Sequence, residues 1–328
     1  MMKTPVTDAA TLSVAPMMDW TDRHCRVFHR MMSRRALLYT EMVTAPAIVH
    51  GDRSRLLDHD AAEHPVALQL GGSDPAELAE ATRIAADWGY DEINLNVGCP
   101  SDRVQSGCFG AVLMKTPDLV AECVARMIDA SPVEVTVKCR IGVDDQVPED
   151  VLPAFLDKMR GAGVRRIAIH ARKAWLQGLS PRENRDIPPL DYPLVHRMKR
   201  EFPDLHLSVN GGIGSFDAIR DQLQVMDGVM VGRAAYHQPW DILGQADLLW
   251  GDAPPFDHPE QVARAMRPHI VRHLAAGGRL HQITRHMLGL FHGMPGARGW
   301  KRTLSEGASK GGIGVYDAAL SQVTQLAA

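Results

Sequence analysis

Eight short β-rich runs, each followed by a stretch with helical spacing, set the strongest limit on what this chain can become. They are LSVAPM (12–17), LLYTEMV (37–43), PVALQLGG (65–72), EINLNVGCP (92–100), VEVTVKCR (133–140), RIAIHAR (166–172), HLSVNGGI (206–213) and GVMVGR (228–233). Between them lie segments such as DPAELAEATRIAADWGY (74–90) and TPDLVAECVARMIDA (116–130). Each of these enters its helix through a proline one residue after a capping Asp or Thr. Strand alternating with helix eight times predicts an α/β fold, a (β/α)8 TIM barrel of roughly 250 residues. An open doubly wound sheet is the alternative, but it usually has fewer strands and a dinucleotide fingerprint near its start, which is absent here. The barrel is assigned to residues 1–245. A proline-rich stretch within 246–257 reads as a linker, and apolar positions at helical spacing in QVARAMRPHIVRHLAAGG and RLHQITRHMLGLFHGMPG predict a small helical domain over 258–328.

Charge is unevenly spread. The 328 residues carry a formal net charge of −3. From His258 onward there are nine Lys and Arg against three acids, leaving 27 basic and 36 acidic residues before it. A helical tail at +6 beside a barrel at −9 points to an anionic partner docking near the C-terminus, or to a solvated helical face. No apolar run reaches the ~18 residues of a membrane span, and the N-terminus has no signal-peptide pattern. The five cysteines, 25, 99, 108, 123 and 139, form no C-x-x-C pair, so neither a disulfide framework nor a metal site is expected. The cytoplasm is the expected location.

In such barrels chemistry sits at the C-terminal ends of the strands. Those ends carry Pro16-Met17-Met18, Tyr39-Thr40-Glu41, Gln69 with Gly71-Gly72, Asn94, Asn96 and Cys99, Lys138 and Arg140, His170 with Arg172 and Lys173, Asn210-Gly211-Gly212, and Gly232-Arg233. A single strand-end lysine ordinarily extends to water, and a single histidine there is ordinarily a satisfied core residue. So many polar ends facing one mouth read as a site. NGGIGS before a helix and VGR after the next strand offer bare backbone N–H groups and an arginine, the pattern of a phosphate site.

A flavin mononucleotide (FMN) with its phosphate on Asn210, Gly211, Gly212, Gly232 and Arg233 would lay its ring across the mouth. Gln69 then meets the ring's amide edge, Lys138 the N1–O2 side, His170 the ring or phosphate arm, and Pro16 to Met18 pack beside the ring. Cys99, set in the rigid turn Gly98-Cys99-Pro100, carries a thiol whose S–H can donate a proton. If hydride leaves the flavin for one carbon of a C=C bond, the neighbouring carbon needs that proton. The bland alternative is a buried structural cysteine, the expected role of Cys123 within its helix.

The blocks APMMDWTDRHCR, EMVTAPAIVHG, HPVALQLGGSDP, YDEINLNVGCPSDRV, VTVKCRIG, IHARKAWLQGLSPRENR, SVNGGI and DGVMVGR resemble the tRNA-dihydrouridine synthases, and most closely their A subfamily, over about residues 12 to 310. The resemblance implies an FMN barrel with a helical C-terminal domain. It also implies reduction of the C5=C6 bond of uridines 20 and 20a in the tRNA D-loop, with NADPH (or NADH) as reductant. It implies Cys99 as the proton donor to C5, and the FMN contacts named above. Asn96 is similar to a residue that reaches the flipped uridine. Arg182 and Arg185 in SPRENR and Arg298 and Lys301 in GARGWKR match tRNA-contacting positions. Lys301 stands where an arginine is common, which keeps the charge but loses a bidentate fork. A monomer is the expected state. Two rival readings remain: a flavin barrel acting on a free pyrimidine, which has no use for the basic tail, and a non-catalytic tRNA-binding module, which has no use for Cys99.

Overall fold

The computed structural model describes residues 6–101, 104 and 107–324. Asp102 and Arg103 of the VGCPSDRV block therefore lie outside the described residues. Eight parallel strands close into a barrel in chain order: β1 (Leu12–Val14), β2 (Leu37–Thr44), β3 (Val66–Gly71), β4 (Glu92–Val97), β5 (Glu134–Arg140), β6 (Arg166–His170), β7 (His206–Asn210) and β8 (Gly228–Val231). Closure is made by β1 on β8, with Ser13 beside Met230 and Val14 beside Val231. All eight expected strands are present, and most of the polar residues proposed for the mouth stand at or just past their C-terminal ends; Tyr39, Thr40 and Glu41 instead lie within β2, and Asn94 in the middle of β4.

Helices enter as their sequences dictate, with one difference. Asp74 accepts hydrogen bonds from Ala76 N and Glu77 N and caps the helix Pro75–Asp87, a contact whose loss costs about 1 kcal/mol. Thr116 stands at the same position before Pro117–Asp129 but makes no side-chain cap. Its hydroxyl is turned back onto Leu113 O instead, at 3.4 Å. Pro at the first turn, which presets φ and needs no donor, opens that helix without a cap.

The barrel interior is filled in an unusual way. Small apolar residues, Ala15, Ala67 and Ala168, with Leu37, Tyr39 and Met230 form a minor cluster there. The rest is a polar column. Residues two apart on a strand share a face, so Glu92, Asn94 and Asn96 all point inward from β4. Arg166 donates to Glu92 at 2.6 Å, Tyr39 OH to Glu92 at 2.6 Å, and Thr136 Oγ1 to Glu92. Asn94 donates to Thr136 and accepts from Gln69, both at 2.8 Å. Asn96 donates to Gln69 Oε1 at 2.8 Å. Each of these side chains meets at least one partner, as burial in a low-dielectric interior requires, though Arg166 Nε is buried without one.

The stretch 246–257 departs from the expected linker. Residues Ala246–Trp250 form a 3-10 turn. Asp247, fully buried, accepts from Ser33 Oγ at 2.6 Å and from Arg34 N at 3.1 Å. A carboxylate in that position must be hydrogen-bonded, and it fastens the start of the segment to the barrel. Four helices follow, Pro259–Ala275, Leu280–Met287, Ala297–Gly307 and Ile313–Thr324, around buried Trp300, whose ring lies 5.0 Å from Phe291 and 5.7 Å from Tyr316. Their apolar core is continuous with that of the barrel layer. Polar contacts reinforce the junction: Asp22, at the N-cap of Arg23–Met32, pairs with Arg285 at 2.6 Å and with His286 at 3.0 Å.

Candidate active site

The strand ends surround a cavity of about 830 Å³, within the range of small-molecule and cofactor sites. Pro16, Met17, Met18, Gln69, Asn96, Cys99, Lys138, His170, Arg185, Asn210, Gly211, Gly212, Gly232 and Arg233 all line it. Arg182, Arg298 and Lys301 do not.

The β1 loop is shaped by Thr21. Its Oγ1 accepts from Met17 N at 3.0 Å, and its own N–H donates to Met17 O at 3.0 Å. This curls residues 16–21 over one side of the mouth and leaves Met18 exposed. Opposite stands the thiol turn. Asn96 Oδ1 accepts from Gly98 N at 3.0 Å and Cys99 N at 2.9 Å. Cys99 O accepts from Ala111 N at 2.9 Å. Gly110, at φ +76°, is required beside it, because a Cβ there would lie 2.6 Å from Cys99 O. The Cys99 side chain is half-buried, with Sγ 3.5 Å from Ser101 Oγ.

The floor is cationic. Register sets Lys138 beside Asn96 and Ala168, and Arg140 beside His170. Lys138 has no ion-pair partner among the described residues. Burial, reinforced by Arg140, brings its pKa down to about 8. Burial first, then Arg140 and Lys138, hold the His170 imidazole well below its usual range, so it is neutral. Its Nε2 is buried without a hydrogen-bond partner. The ring lies so close to Gly211 (φ +106°) that a Cβ at 211 would come within 2.6 Å of it. Asn210 is spent on the fold, donating to Met230 O at 2.7 Å.

Arg233, at the cavity wall, also has a structural partner. Its guanidinium donates to Asp186 Oδ1 at 2.7 Å, so it bridges the β8 end to the loop after β6. Gln69 and Asn96 likewise bond each other, so both are structural members of the column as well as cavity-lining amides. Arg298 and Lys301 are exposed on one face of Ala297–Gly307, three residues apart. The charges of Arg233 and Lys301 both act on His237, which burial and these two cations hold below its usual pKa. Lys301 therefore lies toward the β8 side of the mouth. Of the basic tail, Arg264, Arg267 and Arg285 pair with Glu260, Asp317 and Asp22. Arg272, Arg279, Arg298, Lys301, Arg302 and Lys310 have no ion-pair partner among the described residues.

Arg140, Trp20 and Met42 line the cavity as well; the sequence set Arg140 among the strand-end residues facing the mouth but gave none of the three a specific contact. Trp20 stacks on Tyr236 with ring centroids 4.5 Å apart. For Arg140 a signal was there: it sits two residues after Lys138, on the same inward face.

An orphaned neutral imidazole, an unpaired half-buried lysine and a glycine wall fit an anionic, ring-bearing cofactor such as a flavin nucleotide. Comparison with known proteins gives the family. The family model described as dihydrouridine synthase matches residues 13–326. Similar curated proteins include the tRNA-dihydrouridine(20/20a) synthases of Shewanella oneidensis (55% identical; 96% of this chain and 95% of that protein covered) and of Escherichia coli K12 (56%; 98% and 94%). A further one is that of Xanthomonas campestris pv. campestris (56%; 94% and 91%). Among solved structures, an old yellow enzyme homologue from Zymomonas mobilis is 13% identical, with a TM-score of 0.52 over 70% of this chain and 86% of that one; this likeness concerns the barrel fold alone. Matching the family model over nearly its whole length, this chain belongs to the dihydrouridine synthase family.

Proposed function

We propose that this chain reduces the C5=C6 bond of uridines in the tRNA D-loop, at positions 20 and 20a, with FMN as its flavin and NADPH, or NADH, as the reductant. It would act in the cytoplasm as a monomer without a metal. The observation that carries this reading is the placement of the Cys99 thiol on a braced turn at the same cavity as Lys138, His170 and the Gly211-Gly212 wall.

Bound in that cavity, reduced FMN would supply a hydride to C6 of the base. The protein supplies the rest. Lys138 would hold the N1–O2 side of the ring and offset negative charge there. Neutral His170 offers its unpartnered Nε2 to the ring or phosphate arm. The backbone of 210–212 and 232–233, left bare by Gly211, Gly212 and Gly232, would hold the phosphate. Cys99 delivers its proton to C5. A base inside a folded tRNA must be drawn out of its stack to reach the thiol. Arg182 and Arg185 beside the mouth, and the exposed cations of the helical region, would hold the phosphates around it. On this reading residues 1–245 form the catalytic unit and 258–328 the tRNA-binding one.

Incubation of purified protein with unmodified tRNA and NADPH, followed by nucleoside analysis of the D-loop, tests the reading. Dihydrouridine at positions 20 and 20a is the expected result. Reduction of a free pyrimidine but not of tRNA would replace it with the small-molecule flavin reaction. Tight tRNA binding without product would replace it with a non-catalytic binding role.

A further inference from the structure

Arg140 is an odd residue to find at the end of β5. It is buried, and no acidic side chain pairs with it among the described residues. Removing a charge from water is costly unless its donors are satisfied, and here they are spent on backbone carbonyls. Nε donates to Gly98 O at 3.1 Å. Nη1 donates to Asn184 O at 3.0 Å and Lys173 O at 3.3 Å. The first carbonyl belongs to the thiol turn. The other two belong to the rim loop that follows β6.

The Gly98 carbonyl and the Cys99 N–H are the two ends of one peptide group. Asn96 Oδ1 holds the N–H at 2.9 Å, and Arg140 holds the C=O. The plane that carries the thiol is thus gripped on both edges. The rim loop is built as firmly around Asn184, which is fully buried. Its side chain donates to Trp175 O at 2.8 Å and Leu179 O at 3.1 Å, and accepts from Trp175 N at 2.7 Å. Arg182 and Arg185 flank it in sequence, so the segment that carries these cations is the one Arg140 ties to the Cys99 peptide.

We infer that Arg140 is a positioning residue that locks the Cys99 turn to the rim loop, so that the proton donor is set in register with a substrate held by that loop. This inference rests on the tRNA-uridine reading above. A planar fork suits the task, because it directs separate N–H groups at carbonyls on opposite sides. A lysine concentrates its donors at one point and cannot span them.

The test uses the flavin-loaded full-length protein and Arg140→Lys, which keeps the charge and removes the fork. Two readouts are needed: dihydrouridine formation in a single turnover at saturating tRNA, and the rate at which trypsin cuts after Lys173, Arg182 and Arg185 without tRNA. The expected result is unchanged flavin content, a single-turnover rate lower by about 100-fold, the scale of a misplacement near 1 Å, and severalfold faster cleavage of the rim loop. Asn184→Ala reaches the same link from the other side and should reproduce both changes if Arg140→Lys fails to fold. A wild-type rate in a properly folded variant would overturn the inference. So would a slowed variant with an unchanged rim loop, since Arg140 would then act by direct contact. If the wild-type protein itself makes no dihydrouridine, the functional reading has failed instead, and the cleavage comparison still reports on the lock.

Discussion

Asn96 Oδ1 accepts the backbone N–H of Cys99 at 2.9 Å and that of Gly98 at 3.0 Å, while its amide nitrogen donates to Gln69 at 2.8 Å. One side chain thus joins the polar column inside the barrel to the turn that presents the thiol. Asn96→Ala removes the acceptor for two N–H groups and strips Gln69 of a donor. Buried groups left unpaired cost roughly 1–3 kcal/mol each, so we expect denaturant unfolding to show a loss of about 3 kcal/mol in total. Single-turnover reduction should fall by about 100-fold with the flavin retained. Unchanged stability, with the defect confined to KM for tRNA, would reduce Asn96 to a substrate contact.

The proton donor itself gives a sharper split. Cys99→Ala deletes the thiol but leaves the backbone bonds of its turn, which run through N and O, in place. Turnover on tRNA should drop by about 10²–10⁴. Bleaching of the flavin by NADPH, followed by stopped-flow absorbance, should proceed at the wild-type rate. Turnover close to wild type would mean that C5 is protonated by another group.

The barrel was legible because alternation of β-rich and helical stretches survives in the sequence without any tertiary information. Cavity membership of Gln69, Lys138 and His170 was legible for the same reason, since a strand's C-terminal end has one place to go in this fold. Three things were not. Asp247 sits in a stretch whose prolines read as a linker, and only the long-range approach of Ser33 and Arg34 reveals that it is pinned. Arg140 spends its guanidinium on carbonyls of Gly98, Lys173 and Asn184, and hydrogen bonds to backbone leave no mark on residue type. The pairing of Arg233 with Asp186 was hidden likewise, because nothing in VGR names a carboxylate 47 residues upstream.

Lys138 makes the flavin-free protein respond to pH in a defined direction. Burial lowers its pKa from an ordinary 10.5 to about 8. Between those values the unfolded chain holds a proton that the folded protein has lost. Stability of the flavin-free protein therefore rises with pH across that window, and the contribution is least favourable below it. Lys138→Met should raise the flavin-free melting temperature at pH 7 and abolish this rise. The same variant should bind FMN about 10–100-fold more weakly, the scale of one hydrogen bond to a charged group. In the wild type, affinity measured by flavin fluorescence should begin to fall once pH passes about 8. An affinity flat from pH 7 to 10 would mean that Lys138 does not meet the flavin.

Arg298 and Lys301 test the helical region without touching the chemistry. Both are exposed, neither has an ion-pair partner among the described residues, and helical spacing puts them on one face. A cation that meets a phosphate releases a counterion, so its removal weakens binding for every tRNA alike and lowers the salt slope of the affinity by about one. Arg298→Ala and Lys301→Ala should each do this in anisotropy titrations across a salt series, and the double variant should lose about two. Arg264 is already paired with Glu260 at 2.6 Å, so Arg264→Ala is the internal control and should shift the slope far less. Single-turnover rates at saturating tRNA should stay within about threefold of wild type in the two single variants, because uniform binding is lost without changing the reacting geometry. Equal slopes for wild type and the double variant would place the tRNA on another face and remove the helical region from recognition.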